Sequence, residues 1–250
     1  MQVLKTKSIT KHYSGVHAVD NLSISFASGK ITGLIGPNGS GKSTLINLFS
    51  GVVPFDSGTI VFDNAEELKK IKTYEISDYG ITRTFQEVRL FEQMPVLDNI
   101  LAVITKRNVL SSIFEKHKKF HLDRTEMVLK RVGLWEKRNE LAKNLSYGQR
   151  KLLEIARVLA MLSGEGVEGE VFLFDEPFAG LFQEMRNIVL EIIKELKQKG
   201  KTVILIDHNM EIIRNICDYI FVMDSGKLIA EGTPEEVLSN KAVIEAYLGS

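Results

Sequence analysis

A single cysteine, Cys217, stands in a chain of 250 residues. No intrachain disulfide can form, and a reducing compartment suits the chain. Neither sign of charge predominates: 32 basic and 32 acidic residues leave a formal net charge of zero. That removes any global pull toward nucleic acid or an anionic membrane. Long apolar runs are missing too. Runs such as Thr202–Ile206 and Tyr219–Met223 have the length of strands and fall far short of a membrane span. The first residues, Met1-Gln2-Val3-Leu4-Lys5-Thr6-Lys7, hold no apolar stretch of the kind that directs secretion. A role at a membrane would therefore need other chains to supply the spanning helices. Apolar residues, at 44%, suffice for a substantial core in one large domain or two small ones.

What is present starts with Gly36-Pro37-Asn38-Gly39-Ser40-Gly41-Lys42-Ser43-Thr44, which has the form G-x-x-x-x-G-K-[ST]. The apolar run Ile31–Ile35 before it reads as a buried strand. Leu45–Phe49 after it reads as a helix closed by Gly51. Glycines let a backbone fold tightly round a polyphosphate, and a helix N-terminus turns its free N–H groups toward the anion. In such a loop Lys42 reaches the β- and γ-phosphates and the Ser43 hydroxyl ligates Mg²⁺.

The rest of the chain alternates. Residues 1–32 mix apolar and polar positions around short turns, with Ala27-Ser28-Gly29-Lys30 expected as a hairpin turn feeding the strand at 31–35. Ser57-Gly58 opens a further strand over Thr59–Phe62. Between 94 and 150 the period becomes helical, and Leu122, Met127, Val128, Leu129 and Val132 mark a helix stopped by Gly133. From Val171 strands and helices alternate, which argues a parallel sheet covered by helices. Residues 219–223 and 227–230 around Asp224-Ser225-Gly226 read as a hairpin, and Thr233-Pro234-Glu235-Glu236 as a capping box. Ser163–Glu170, rich in glycine and acid, reads as a mobile surface loop.

Val171-Phe172-Leu173-Phe174-Asp175-Glu176 is an apolar strand ending in two acids. In a parallel sheet such acids emerge at the edge where the phosphate loop lies. Asp175 there holds Mg²⁺ and Glu176 polarises the attacking water; a strand merely ending in a solvated acidic turn has the same pattern. Leu145-Ser146-Tyr147-Gly148-Gln149 precedes a helical run, so Ser146 is a helix cap, an anion contact, or both.

In this order the motifs resemble those of the ATP-binding cassette ATPases. L-S-x-G-Q is similar to their signature. Tyr13 resembles the aromatic that stacks on adenine, Gln86 the Q-loop glutamine, and His208 the switch histidine. The resemblance implies an α/β fold: a P-loop NTPase core with a parallel sheet, an N-terminal antiparallel β subdomain and an inserted helical subdomain. The whole of 1–250 is then one cassette, with 1–93 and 151–250 as core and 94–150 as the helical signature subdomain. It implies ATP and Mg²⁺ as cofactors, with Ser43, Gln86 and Asp175 toward the metal. It implies Glu176, His208 and Gln86 in catalysis. It also implies nucleotide contacts from Tyr13, Gly36, Asn38, Gly39, Ser40, Gly41, Lys42, Ser43 and Thr44. Ser146, Gly148 and Gln149 would reach the nucleotide of a second cassette packed head to tail.

The stretch Gly80–Phe91, Tyr147 within the signature and the end Gly232-Thr233-Pro234 … Ala246-Tyr247-Leu248-Gly249 resemble the ATPases of branched-chain amino-acid importers. Relatives serving urea or amide import or lipopolysaccharide export share parts of this pattern. The implied partners are a second ATPase subunit, permease subunits and, indirectly, a solute-binding protein, at the cytoplasmic face of the inner membrane. No nucleic-acid partner is expected; a soluble non-transport ATPase of the same superfamily is the remaining alternative. Val88, Leu90, Phe91 and Met94 are candidates for a groove that receives a permease helix, or else belong to the core of the helical part. Lys116–Lys119 with Phe114 and Phe120 read as a solvated helix end or a lipid-headgroup contact. One departure stands out: Phe182 occupies the place where the family pattern has an aspartate or asparagine.

Overall fold

The computed structural model describes residues 2–62, 67–85, 88–104, 118–161 and 171–248. Two compact units emerge: Met1–Arg83 with Gly169–Glu176 and Ile193–Ser250, and Thr84–Glu168 with Pro177–Ile192.

The first unit holds two sheets. One is antiparallel, with β1 (Gln2–Tyr13) paired to β2 (Val16–Leu22), β3 (Ser25–Ala27) and β5 (Ser57–Phe62). The other contains β4 (Ile31–Ile35), β6 (Ile81–Arg83), β7 (Val171–Asp175), β8 (Thr202–Ile206), β9 (Tyr219–Asp224) and β10 (Lys227–Gly232), in the order β10-β9-β4-β8-β7-β6. Only the β9–β10 pair is antiparallel. Every residue of β4, β7 and β8 is buried, which is why these strands read as mainly apolar runs without polar alternation. Phe26 meets Phe49 and Phe221 edge-on, with centroids 5.7 and 5.2 Å apart, at the centre of the core.

The turn at Ala27–Lys30 is not a hairpin. β3 pairs with β1 in the antiparallel sheet, whereas β4 lies between β8 and β9 in the other. Gly29 takes φ 70° as the chain passes from one sheet to the next. The physical reason is the fully buried Ile31–Ile35, which needs a strand on each edge and cover on both faces. The hairpin at 224–227 is as expected: Ser225 and Gly226 both have positive φ, 47° and 80°, matching the twist of a two-residue turn. α1 (Lys42–Phe49) ends at Gly51, φ 62°. α6 (Met210–Ile216), α7 (Pro234–Leu238) and α8 (Lys241–Leu248) complete this unit, and α7 opens on the Thr233–Glu236 capping box.

The second unit is helical. α2 (Val96–Ile104), α3 (Lys118–Arg131) and α4 (Tyr147–Met161) pack on one another, and Val96, Ile100, Val128, Leu129, Leu152 and Ala156 on them are buried. Gly133, φ 69°, follows α3 as expected. Leu122 and Met127 face outward, while Val128, Leu129 and Val132 form the buried stripe. α5 (Gln183–Gln198) follows in sequence, its residues up to Ile192 belonging to this unit and the rest to the first. No helix among the described residues is long and apolar enough to cross a membrane. The segments 163–170 and 114–117 lie outside the described residues.

Candidate nucleotide-binding site

Parallel pairing puts the carboxyl ends of β4, β7 and β8 on one edge of the sheet. Three loops leave that edge: Gly36–Gly41 into α1, Glu176, and Asp207–His208. Gly36, Gly39 and Gly41 have φ of 150°, 80° and 101°. A Cβ on Gly36 would stand 2.0 Å from the Met223 carbonyl oxygen, and one on Gly41 2.1 Å from that of Ala18. The tight loop is therefore braced by β9 from one side and β2 from the other, and glycine is required at both points. Asn38 and Gly39 form its exposed crest; Ser43 and Thr44 follow Lys42 in the first turn of α1.

Lys42 curls back over the loop. Its Nζ donates to the carbonyls of Gly36 (2.9 Å) and Pro37 (2.8 Å) and to Ser40 Oγ (3.2 Å). Burial lowers its pKa, and the nearby carboxylates of Glu176 and Asp175 act in the opposite direction. The cation and both acids thus share one field.

Asp175 is 2% exposed and receives Arg83 Nη2 at 3.4 Å. The Nη1 of Arg83 donates to Asn47 Oδ1 (2.7 Å) and Ser50 Oγ (2.6 Å) on α1. The ionic partner of Asp175 was not apparent from the motifs. An arginine inside an otherwise strand-like run, Ile81-Thr82-Arg83, was the available signal, since a buried charge needs a partner. The carboxylate of Asp175 and the hydroxyl of Ser43 are hard oxygen donors of the type Mg²⁺ takes.

Glu176 has φ 50°, unusual for a residue with a side chain. Its N–H is fixed to the Ile206 carbonyl at 2.9 Å, and its Oε1 meets His208 Nε2 at 2.9 Å. Tyr13 ends β1 with its ring 45% exposed and Lys11 Nζ 5.4 Å from the centroid.

In the second unit, Ser146 and Gln149 form a reciprocal cap on α4. The Gln149 N–H donates to Ser146 Oγ (3.3 Å) and the Ser146 N–H to Gln149 Oε1 (3.1 Å). Ser146 is exposed and Gly148 buried, with the Cβ position of Gly148 2.8 Å from Met185 Sδ. Both readings of Ser146 therefore remain compatible: it caps the helix and stays accessible. Gln86 lies outside the described residues.

Comparison with known proteins agrees with this architecture. A family model described as ABC transporter matches residues 19–179, and one described as branched-chain amino acid ATP-binding cassette transporter matches 227–250. A probable branched-chain amino acid transport ATP-binding protein, LivG, of Methanocaldococcus jannaschii is 38% identical, covering 100% of this chain and 98% of the relative. The high-affinity LivG of Salmonella typhimurium is 36% identical over 99% of this chain and 98% of its own. The lipopolysaccharide export ATP-binding protein LptB of Escherichia coli is 33% identical over 100% and 98%. Crystal structures of ABC transporter cassettes superpose over the full length of both chains. A nucleotide-free form gives a TM-score of 0.83 and an ADP conformation 0.82, each at 34% identity. The chain belongs to the ABC transporter family, as one of its ATP-binding, ATP-hydrolysing cassettes.

Proposed function

We propose that this cassette energises an importer of branched-chain amino acids. It would act at the cytoplasmic face of the cell membrane, with permease subunits and a second cassette. The observation that carries this reading is the match of residues 227–250 to the branched-chain model, alongside similarity to LivG over the whole length.

In the proposed mechanism Tyr13 stacks on the adenine of substrate ATP. The γ-phosphate settles in the Gly36–Thr44 loop, where Asn38, Gly39, Ser40, Gly41 and Thr44 line the cradle with their backbones. Lys42 exchanges the carbonyls of Gly36 and Pro37 for phosphate oxygens. Glu176 accepts a proton from water as the water oxygen attacks the γ-phosphorus. The bond to the β–γ bridging oxygen breaks, releasing ADP and inorganic phosphate. His208, already bonded to Glu176, orients that carboxylate and then the phosphate. Gln86 approaches the water. Ser146, Gly148 and Gln149 of one cassette close the site of the other. Ser43, Asp175 and Gln86 would hold Mg²⁺, which when bound screens the phosphate charge.

Deleting the gene and measuring uptake of labelled leucine, isoleucine and valine tests the reading. Loss of uptake is expected, with rescue by the wild-type chain and none by Glu176→Gln. Unchanged uptake of all three rejects amino-acid import. The similarity to LptB favours lipopolysaccharide export as the second reading, for which lipopolysaccharide would fail to reach the cell surface in the same strain.

A further inference from the structure

β1 and β2 are joined by a tight turn, Ser14-Gly15, with positive φ at both residues, 44° and 86°. The register behind that turn sets His12 opposite His17. Residues directly opposite in an antiparallel pair carry their side chains on one face. Here the two rings meet. His12 Nε2 and His17 Nδ1 stand 2.9 Å apart, with the ring planes at 88° to one another. Only one proton fits between two nitrogens at that distance, so one imidazole offers the other a lone pair. Both residues are exposed, and ions in solution can reach them.

The surroundings hold the rings in place. Asp56, just before β5, accepts the His12 backbone N–H at 2.7 Å and Lys11 Nζ at 2.8 Å. The same carboxylate stands 3.5 Å from His12 Nδ1, the ring nitrogen that does not face His17. A carboxylate behind that second nitrogen is how proteins orient a histidine that ligates a metal. Asp20 Oδ1 lies 3.4 Å from His17 Nδ1, and its Oδ2 lies 3.3 Å from Lys227 Nζ on β10. All of these residues belong to the first unit.

We propose that His12 and His17 form a chelating site for a divalent transition-metal ion, Cu²⁺ or Ni²⁺ in particular. The ion takes the place of the shared proton. Metal–imidazole bonds of about 2.0–2.1 Å to nitrogens 2.9 Å apart enclose an angle of about 90° at the ion. Neighbouring ligands subtend that angle in square and octahedral arrangements, which Cu²⁺ and Ni²⁺ accept; tetrahedral Zn²⁺ needs a wider one. Among the described residues no group of three or more His, Cys, Asp or Glu is arranged to hold a metal. The protein therefore supplies two nitrogens and water completes the coordination, with Asp20 placed to accept a hydrogen bond from such a water. Nitrogen donors on a hairpin also suit a different ion from the hard oxygens of Ser43 and Asp175. A bound ion ties β1 to β2 beside Tyr13, whose partner across the hairpin is Val16.

The test uses the full chain without an affinity tag and without nucleotide. Wild type, His12→Asn, His17→Asn and the double variant are titrated calorimetrically with Ni²⁺, Cu²⁺ and Zn²⁺. Metal-free melting temperatures check that all four fold alike. Each single variant should bind Ni²⁺ about tenfold or more weakly than wild type. The double variant should be no more than about twofold weaker than either single, because a chelate is lost with its first donor. With one equivalent of Cu²⁺, electron paramagnetic resonance should show two imidazole nitrogens in wild type and at most one in each single variant. Ni²⁺ should raise the melting temperature of wild type and leave the variants where they were. Ni²⁺ affinity within about twofold across all four proteins overturns the proposal and leaves a hydrogen-bonded surface pair. Full affinity in both single variants, lost only in the double, overturns the chelate, since each ring then binds by itself. Zn²⁺ binding more tightly than Cu²⁺ overturns the choice of ion.

Discussion

Oε1 of Glu176 and Nε2 of His208 stand 2.9 Å apart, although 32 positions separate them in the chain. They meet because β7 and β8 are parallel neighbours, with Asp175 opposite Ile206. The left-handed backbone at Glu176, φ 50°, directs the carboxylate to that meeting point. Such a conformation costs a side-chain-bearing residue on the order of 1 kcal/mol or more, so the arrangement is held by its surroundings, including the Glu176 N–H to Ile206 bond.

Glu176→Gln is expected to keep ATP binding, lower turnover by about a hundredfold or more, and accumulate an ATP-bound dimer on gel filtration. Lys42→Ala should instead weaken nucleotide binding itself, seen as a loss of affinity for a fluorescent ATP analogue. Near-normal turnover by Glu176→Gln removes it as the base.

The loop glycines should separate by position. Gly39 faces open space at φ 80°, whereas a Cβ on Gly41 would stand 2.1 Å from the Ala18 carbonyl. Gly39→Ala should cost about 1 kcal/mol of stability through backbone strain alone. Gly41→Ala should deform the loop and abolish nucleotide binding. Thermal melts with and without ATP compare the two; equal ATP-induced shifts would contradict the bracing by β2.

Phe182 is 81% exposed, and its carbonyl accepts the Arg186 N–H at 3.0 Å, which makes it the cap of α5. Aspartate there can accept hydrogen bonds from the first turn, worth about 1 kcal/mol. It can also supply the carboxylate that the family pattern has at this position. Phe182→Asp should raise both the melting temperature and ATPase activity at saturating Mg-ATP. Higher stability with unchanged or lower activity leaves phenylalanine as a packing residue toward a partner.

Cys217 is 8% exposed, and burial with the charges of Asp218 and Asp207 pushes its thiol up to about 12. Little thiolate then exists at pH 8. Alkylation by iodoacetamide should run at least about a hundredfold slower in the folded protein than in urea. A fast native reaction would mean that the α6–β9 corner opens readily.

Much of the site was legible because its chemistry is local in sequence. The phosphate loop needs its glycines and lysine contiguous, and an apolar strand that stops at Asp175-Glu176 announces a sheet edge. The capping box at Thr233 and the helix cap at Ser146 are also short-range, and both formed. What escaped was decided by partners far along the chain. The turn at Ala27–Lys30 has hairpin chemistry, yet β4 pairs with strands near 204 and 220. Arg83 and Glu154 carry no motif: one is identified by Asp175, 92 positions away, the other by Phe85, 69 away. Leu122 and Met127 follow the helical period but sit outside its buried stripe.

The place of β4 in its sheet also constrains the order of events on the ribosome. Its two neighbours, β8 and β9, are encoded roughly 170 and 190 residues later. At about 5–20 residues per second, the strand leading into the phosphate loop waits on the order of ten seconds or longer for either edge to be satisfied. During that interval five consecutive core residues, Ile31–Ile35, depend on the antiparallel sheet, α1 or a chaperone for cover. A nascent chain arrested before residue 200 would carry the complete phosphate-loop sequence, with β2 available to brace it but neither β8 nor β9 beside β4.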